Sequence, residues 1–445
     1  VVARFKLWFR KIYMPEILAC FDHEEVVIDM EEWLKRYPRM YQLMMRKAID
    51  CDHATFISEL EMEYEAFTKV ELQFTSVPDD DKDTPLNDTK ERSISGPCNE
   101  KKVYANPVIN KFEEIASKYM PHYCGRANWV EICESLSKME GELGNFVWGA
   151  SDGSGFDMTQ LPWANELMNE LAMACIRHPN VHLLEPLTIE RFEEAITRSL
   201  ILKISVDHGT LKYICDGRAS GDGWTTYYNT LLMIAYWRFC MYEAGITKFA
   251  LKVKGDDVLF AVEECDRSRL LESVARIFTT KKDAHEHGLG QICKKIDFGD
   301  LTDLDFLSNE FFRTNAGTYR MVRIPARVFQ TNSWTTKLPR GIKDEGKLLE
   351  IRRELCFSKG MCLKAWADGL PLYGVFADKM ISLGKMGSHS TYDEYADGAR
   401  VWHKGRDDSQ EFLLYLSDKY GVSELEVRSA EKQIRAITRL DGFLE

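Results

Sequence analysis

The sequence predicts an α+β fold, and three observations carry that expectation. Helical patterning dominates both ends of the chain, up to about Tyr64 and again beyond about Arg327. Between those ends, short apolar runs of strand length alternate with helices. One such run, Phe249 to Val262, is broken only by Gly255-Asp256-Asp257, the pattern of two strands meeting at a tight turn.

Taken in order, the opening stretch alternates charged and apolar residues with few breakers, as helices do. Thr75 to Thr89 (TSVPDDDKDTPLNDT) is rich in Pro and Asp and reads as loop. Phe112 to Met120 and Trp129 to Met139 read as short helices, and Asn145 to Ser151 as a short apolar strand. Leu161 to Arg177 is a helix with Pro162 near its first turn, where the missing N–H costs nothing. Ile201 to Tyr213 reads as strands around an Asp-His-Gly turn at Asp207. Thr225 to Tyr242 is a long apolar helix closed by Gly245. Its aromatic stripe (Trp224, Tyr227, Tyr228, Tyr236, Trp237, Phe239 and Tyr242) reads as helix core. Asp266 is a candidate N-cap for a helix to about Thr279. Leu304 to Val322 reads as strands, with Asn315-Ala316-Gly317 as their hairpin turn.

With 445 residues and 45% hydrophobic content, the chain can bury a large core. No apolar run approaches the roughly 18 residues of a membrane span. The nearest, Leu231 to Ala244, contains Arg238 and Glu243 and reads as a buried helix. The chain starts Val-Val-Ala without an initiator Met, which reads as a fragment of a longer translation product. Arg4, Lys6, Arg10 and Lys11 interleave with aromatics there, unlike a signal peptide. Twelve cysteines with no CxxC pair suggest reduced thiols in a cytosolic setting. A net charge of −12 argues against a uniformly basic surface, yet a polyanion responds to the local field. Between Arg320 and Lys364 there are eleven Lys/Arg against four Asp/Glu, a local balance of +7.

Two acidic sites stand where strands deliver them to turns. In Trp148-Gly-Ala-Ser-Asp152-Gly-Ser-Gly-Phe-Asp157 a buried strand ends in one carboxylate and a second follows five positions later. In Gly255-Asp256-Asp257 two adjacent acids occupy a hairpin turn, with Gly255 supplying backbone freedom. Carboxylates on neighbouring rigid strands suit Mg²⁺, which takes hard oxygen ligands. Two such ions about 3.5–4 Å apart serve phosphoryl transfer. Asp152 and Asp256 are the leading pair. Each acidic site alone is also what an ordinary solvated turn looks like. The segment between them decides otherwise. Gly217-Arg-Ala-Ser220-Gly221-Asp222-Gly223-Trp-Thr225-Thr-Tyr-Tyr-Asn229 places a Gly-rich loop before a long helix, with Ser, Thr and Asn at its start.

Ser220-Gly221-xxx-Thr225-xxx-Asn229 resembles palm motif B of positive-strand RNA virus RNA-dependent RNA polymerases. Asp152-xxxx-Asp157 resembles motif A and Gly255-Asp256-Asp257 motif C, in the family's order and spacing. Lys90-Glu-Arg92-Ser-Ile94, followed by Pro107 and Glu113-Glu114, is similar to motif F of the tombusvirus-like and nodavirus-like group. Lys294 and Lys295 fall where motif D carries its lysine, and Phe306-Leu307-Ser308 fits the motif E hairpin. The resemblance covers about residues 90–325.

It implies a right-hand fold of fingers, palm and thumb with an antiparallel palm sheet. By order along the chain, 1–144 would be fingers, 145–325 palm with a fingers insertion around 161–215, and 326–445 thumb. It implies Asp152, Asp256 and Asp257 as catalytic metal ligands for two Mg²⁺ ions, with Mn²⁺ as a substitute. Asp157, Ser220, Thr225 and Asn229 would meet the ribose of the incoming nucleotide, and Lys90 and Arg92 its triphosphate. Arg218 is a candidate contact to nucleotide or template. The general acid for pyrophosphate is left open among Lys294, Lys295, Lys281 and Lys282. The implied partners are template and product RNA, NTPs, other viral replication proteins, and host membranes reached through regions outside this chain. The implied setting is a membrane-associated replication complex in the host cytoplasm. The basic stretch Arg320 to Lys364 would then hold the duplex product by its phosphates.

Other readings are carried alongside. A reverse transcriptase shares the palm, but Asn229 with Asp157, and Gly255 two positions before Asp257, argue against it. A metal-dependent nuclease or phosphatase would not need Ser220 to Asn229 or the Lys90/Arg92 segment. A non-catalytic RNA-binding scaffold would not need motifs A, B and C together. His285, His287 and Cys293 could bind Zn²⁺, but no fourth ligand is evident beyond a conceivable Cys265, and a polar loop is the simpler reading.

Overall fold

The computed structural model describes residues 1–60, 64–68, 93–153, 155–198, 202–206, 211–215, 217–278, 288–332, 344–387 and 407–440. Among these, one compact unit comprises 1–127 and 143–298, and a second comprises 128–142 and 299–440. The stretch expected as palm, 145–325, is therefore shared between the two units. The acidic loop at 75–89, Lys90, Arg92, Lys281, Lys282, His285, His287, Lys337 and Arg340 lie outside the described residues, as does the Asp207 turn.

The first unit is organised around a four-stranded sheet. Its strands are Phe146–Gly153 (β1), Phe249–Lys254 (β2), Asp257–Glu263 (β3) and Cys293–Gly299 (β4), in spatial order β4-β1-β3-β2. β1 runs antiparallel to β3, and β2 antiparallel to β3. Val258 to Val262 are all buried, so β3 reads as a continuous apolar run rather than an alternating one. Against this sheet packs the helix Thr225–Glu243, apolar on every face and accordingly buried along nearly its whole length. Trp237 packs against Phe260 with ring centroids 4.7 Å apart and the planes tilted by 31°, joining helix to sheet. Tyr242 is the exception in the aromatic stripe, 57% exposed beyond the packed face. The helix ends as its sequence predicts. Gly245 takes φ +69°, its N–H bonds Tyr242 O, and Ile246 N–H bonds Met241 O, the paired closure of a Schellman motif.

Two local expectations are corrected. The helix expected from Phe112 begins at Asn99 and runs to Tyr119 straight through Pro107. An internal proline costs about 3 kcal/mol, which the burial of Val103, Tyr104, Val108, Ile109 and Phe112 on the same helix offsets. Asp266 precedes the helix Arg267–Ile277 but makes no side-chain cap; its carboxylate bonds Arg269 instead.

A second four-stranded sheet orders Ser93–Gly96, Tyr64–Thr68, Leu202–Val206 and Leu211–Cys215. The second unit carries a three-stranded antiparallel sheet, Asp305–Phe306, Asn309–Arg313 and Tyr319–Arg323, with Gly317 at φ +75° in the expected hairpin turn. Helices Glu345–Ala367, Tyr373–Leu383, Ser409–Tyr420 and Glu424–Ala436 share its core, centred on Phe312, Val322, Trp366, Tyr373 and Phe412. Arg320 was counted in the basic stretch but belongs to this interior. It is fully buried, with its guanidinium on Asp408 at 2.8 Å and on the Trp366 and Asp368 carbonyls.

Candidate active site

The antiparallel pairing of β1 and β3 sets the geometry of the acids. Their register runs from Phe146↔Glu263 to Asp152↔Asp257, so the first and last carboxylates stand directly opposite each other on neighbouring strands. The β2–β3 register ends at Lys254↔Asp257, which leaves Gly255 and Asp256 as a two-residue hairpin turn. Gly255 holds φ +63° at the first turn position, where a type II′ turn takes glycine. The Asp256 methylene stands 3.1 Å from where a side chain on Gly153, the residue after Asp152, would begin. Asp152, Asp256 and Asp257, each partly exposed, thus stand at the same end of one sheet. The donor set is oxygen only and sits on rigid elements, which fits a hard divalent cation such as Mg²⁺.

The turn is tied from behind. Gly255 N–H donates to Thr230 Oγ1 at 2.8 Å, and the Thr230 hydroxyl donates to Thr226 O at 2.7 Å within the buried helix. Thr230→Val keeps shape but leaves that N–H without its acceptor, a cost of about 1–3 kcal/mol. The expected result is a stability loss of that size with slower catalysis, read by denaturant unfolding and single-turnover rates. Wild-type values for both would remove Thr230 from the site's support.

Asp157 reaches its place because the chain turns sharply after β1. Gly155, at φ +58°, leads into a short 3₁₀ turn over Phe156–Thr159. From there Asp157 Oδ1 accepts the Asn229 Nδ2 amide, and Asp157 O accepts Arg218 N–H at 2.8 Å. Asn229 is buried on the first turns of the long helix. Thr225 is also buried, and its hydroxyl donates to Ala219 O at 2.6 Å, closing the loop onto the helix. Ser220 is exposed at the loop crest, where its Oγ accepts Ser95 N–H at 3.4 Å. Gly221 N–H donates to Ser95 O at 3.0 Å, so strand Ser93–Gly96 holds the loop from the side. Asp157 and Asn229 are thus brought together, while Thr225 acts locally as a clasp.

Arg218 is not placed to meet a template. It is only 3% exposed, donates to Asn229 Oδ1 and to Asn165 Oδ1 (2.7 Å), and lies over the Tyr228 ring at 5.1 Å. Burial pulls its pKa down to about 10, partly offset by Tyr228 and Asp157, which leaves it a cation at neutral pH. Behind the loop lies a second buried ionic group. Lys101 donates to the Tyr64 hydroxyl, which donates to Asp222 Oδ2 at 3.4 Å. Burial lowers the Lys101 pKa and raises that of Asp222 to about 6, each opposed by the other's charge.

Of the motif D lysines, Lys295 is exposed and paired with Asp297 at 2.5 Å on β4. Lys294 lies on the same strand, its side chain outside the described residues. Cys293 joins the sheet interior, its thiol 3.0 Å from Ser151 Oγ beside Asp152. Cys265 instead groups with Glu263 and Asp266 at the far end of β3. There Glu263 pairs with Lys248 at 3.2 Å and Asp266 with Arg269, a charge-balanced surface.

Sequence reasoning did not single out Asn165, Thr230 or Lys101. Asn165 and Asn169 had a readable signal, two amides four residues apart among the apolar residues of helix Pro162–Ile176. Buried polar side chains at such positions need partners, and theirs are Gly217 O (3.0 Å) and Ile196 O (3.1 Å). A family model described as viral RNA-dependent RNA polymerase matches residues 58–397. No curated protein matches the chain.

Proposed function

The chain belongs to the viral RNA-dependent RNA polymerase family, and from that premise we propose that the sheet end bearing Asp152, Asp256 and Asp257 is its catalytic centre. As a member, it is an RNA-directed RNA polymerase, with RNA template and NTPs as substrates. The observation that carries the site assignment is the register Asp152↔Asp257 with Asp256 in the adjoining turn. In the reaction the RNA 3′-oxygen forms a bond to the α-phosphorus and loses its proton, and the bond to pyrophosphate breaks. When bound, two Mg²⁺ ions would neutralise the charge on the attacking and leaving oxygens. Asp152 and Asp256 would hold them, with Asp257 supporting the second. The residues' own work is positioning and charge balance, since phosphoryl transfer asks little covalent chemistry of side chains.

Asn229 and Asp157 form the sugar-sensing pair in this reading, because together they present donor and acceptor groups to a 2′-OH, which separates RNA precursors from DNA precursors. Ser220, exposed on the adjoining crest, is assigned to the same ribose. Asn229→Ala is expected to erode discrimination against dNTPs more than it lowers NTP turnover. Competing NTP and dNTP incorporation on a defined RNA template measures this, and an unchanged preference would make Asn229 a helix residue only.

Lys90 and Arg92 are assigned to the triphosphate, because Arg matches phosphate oxygens bidentately. The enzyme is proposed to replicate a positive-strand viral genome in a membrane-associated complex. The right-hand arrangement of fingers, palm and thumb follows as an expectation of the family. Extension of a defined RNA, with and without primer, tests the activity and reports the mode of initiation.

A further inference from the structure

We propose that Arg218 is a positioning residue for ribose selection, acting through Asn229 by fixing which way its amide faces. The inference rests on the reading of Asn229 and Asp157 as the sugar-sensing pair and adds what holds that pair.

A guanidinium only donates hydrogen bonds and an ionised carboxylate only accepts them. Asn229 sits between the two, with Oδ1 on the Arg218 guanidinium and Nδ2 on Asp157 Oδ1. The reversed amide would aim its NH₂ at Arg218 and its carbonyl at Asp157, two repulsive contacts in a buried site. One orientation therefore survives. Arg218 is in turn held on three sides. Its Nη2 donates to Asn165 Oδ1 at 2.7 Å, and its guanidinium covers the Tyr228 face at 5.1 Å. Its backbone N–H bonds Asp157 O at 2.8 Å. Asn165 also bonds Gly217 O at 3.0 Å, so helix Pro162–Ile176 anchors both the loop and the arginine. The chain Asn165–Arg218–Asn229–Asp157 links three separate elements and ends at Asp157, which is half-buried rather than enclosed. Charge on the Arg218 guanidinium is balanced by Asp157 and Asp222 nearby. Lysine at 218 would keep the charge but carry a single nitrogen, which cannot span Asn229 and Asn165 together.

The test measures kcat/KM for one NTP and its dNTP with wild type, Arg218→Lys, Arg218→Gln, Asn229→Ala and the double variant Arg218→Gln/Asn229→Ala. Both Arg218 variants should lower NTP efficiency about tenfold, the size of a lost buried hydrogen bond to a substrate hydroxyl, and change dNTP efficiency little. The discrimination ratio then falls about tenfold. The double variant should discriminate no worse than Asn229→Ala alone, because the two residues act in series. A purely structural arginine would lower both efficiencies equally and leave the ratio untouched. That result, or additive losses in the double variant, overturns the proposal. If Asn229→Ala itself leaves the ratio at wild type, the sugar-sensing reading fails first, and the Arg218 inference falls with it. Should Arg218→Gln fail to fold, Asn165→Ala withdraws one acceptor and keeps the charge. A wild-type ratio in that variant also overturns the proposal, and a reduced ratio supports it.

Discussion

Asp256→Asn is expected to abolish nucleotide addition, by a thousandfold or more, while leaving the fold as it was. The substitution keeps size and shape, so the two-residue turn, the Gly255–Thr230 bond and the approach to Gly153 are all retained. What changes is charge. A carboxylate at the turn tip offers a full negative charge to a divalent cation, and the neutral amide offers a weak dipole. A thousandfold loss corresponds to roughly 4 kcal/mol of transition-state stabilisation. That is a reasonable share for one ligand when the reaction is driven by positioning and charge neutralisation. Primer extension at saturating Mg²⁺, with melting temperature and RNA affinity as controls, measures it. Near-normal extension would place the catalytic centre elsewhere. A loss of folding along with activity would show Asp256 to be a structural turn residue.

Arg320→Met is expected to destabilise the second unit by about 3–5 kcal/mol, the usual cost of breaking a buried ion pair from one side. Asp408, also buried, would lose its partner, and the Trp366 and Asp368 carbonyls would lose their donors. Methionine fills much of the volume, so the loss reports the pair rather than a cavity. Denaturant unfolding of the full chain reads the effect, and a change within about 0.5 kcal/mol, typical of surface substitutions, would show Arg320 to be dispensable. The outcome also bears on RNA binding. An arginine committed to the interior contributes nothing to a phosphate-binding surface, so the salt dependence attributable to the 320–364 stretch is less than its count of charges suggests. Arg323, three residues on, is exposed and lies 5.9 Å from the Trp129 ring centroid; it remains available for that role.

Much of the fold was legible because its signals are local. The hairpin of β2 and β3 follows from two apolar runs around Gly255-Asp256, where the turn geometry demands a glycine. The long helix Thr225–Glu243 follows from its composition, and its end from Gly245, whose positive φ lets the last carbonyls be satisfied. Where local signals misled, a longer-range contact outweighed them. The helix read from Phe112 starts instead at Asn99 and passes through Pro107, because a helix face buried along its length outweighs the proline's local cost. Asp266 offered a cap, but the nearby Arg269 competed for its carboxylate.

The candidate site divides in the same way. The residue types, their order and their delivery to turns were written in the chain, because carboxylates at strand ends and a Gly loop before a helix are short-range patterns. By itself the sequence determined that acids at 152, 256 and 257 would stand where strands meet turns, and that Asn229 would lie near the start of a buried helix. Tertiary structure alone decided the rest. Sheet order β4-β1-β3-β2 put Asp152 opposite Asp257 across 105 positions of chain. Folding turned Arg218 inward onto Asn229 and Arg320 inward onto Asp408. An arginine's sequence neighbours do not say whether its charge faces water or a buried acceptor. That is settled by which donors and acceptors distant segments bring within about 3 Å, since only a matched partner offsets the cost of removing a charge from water.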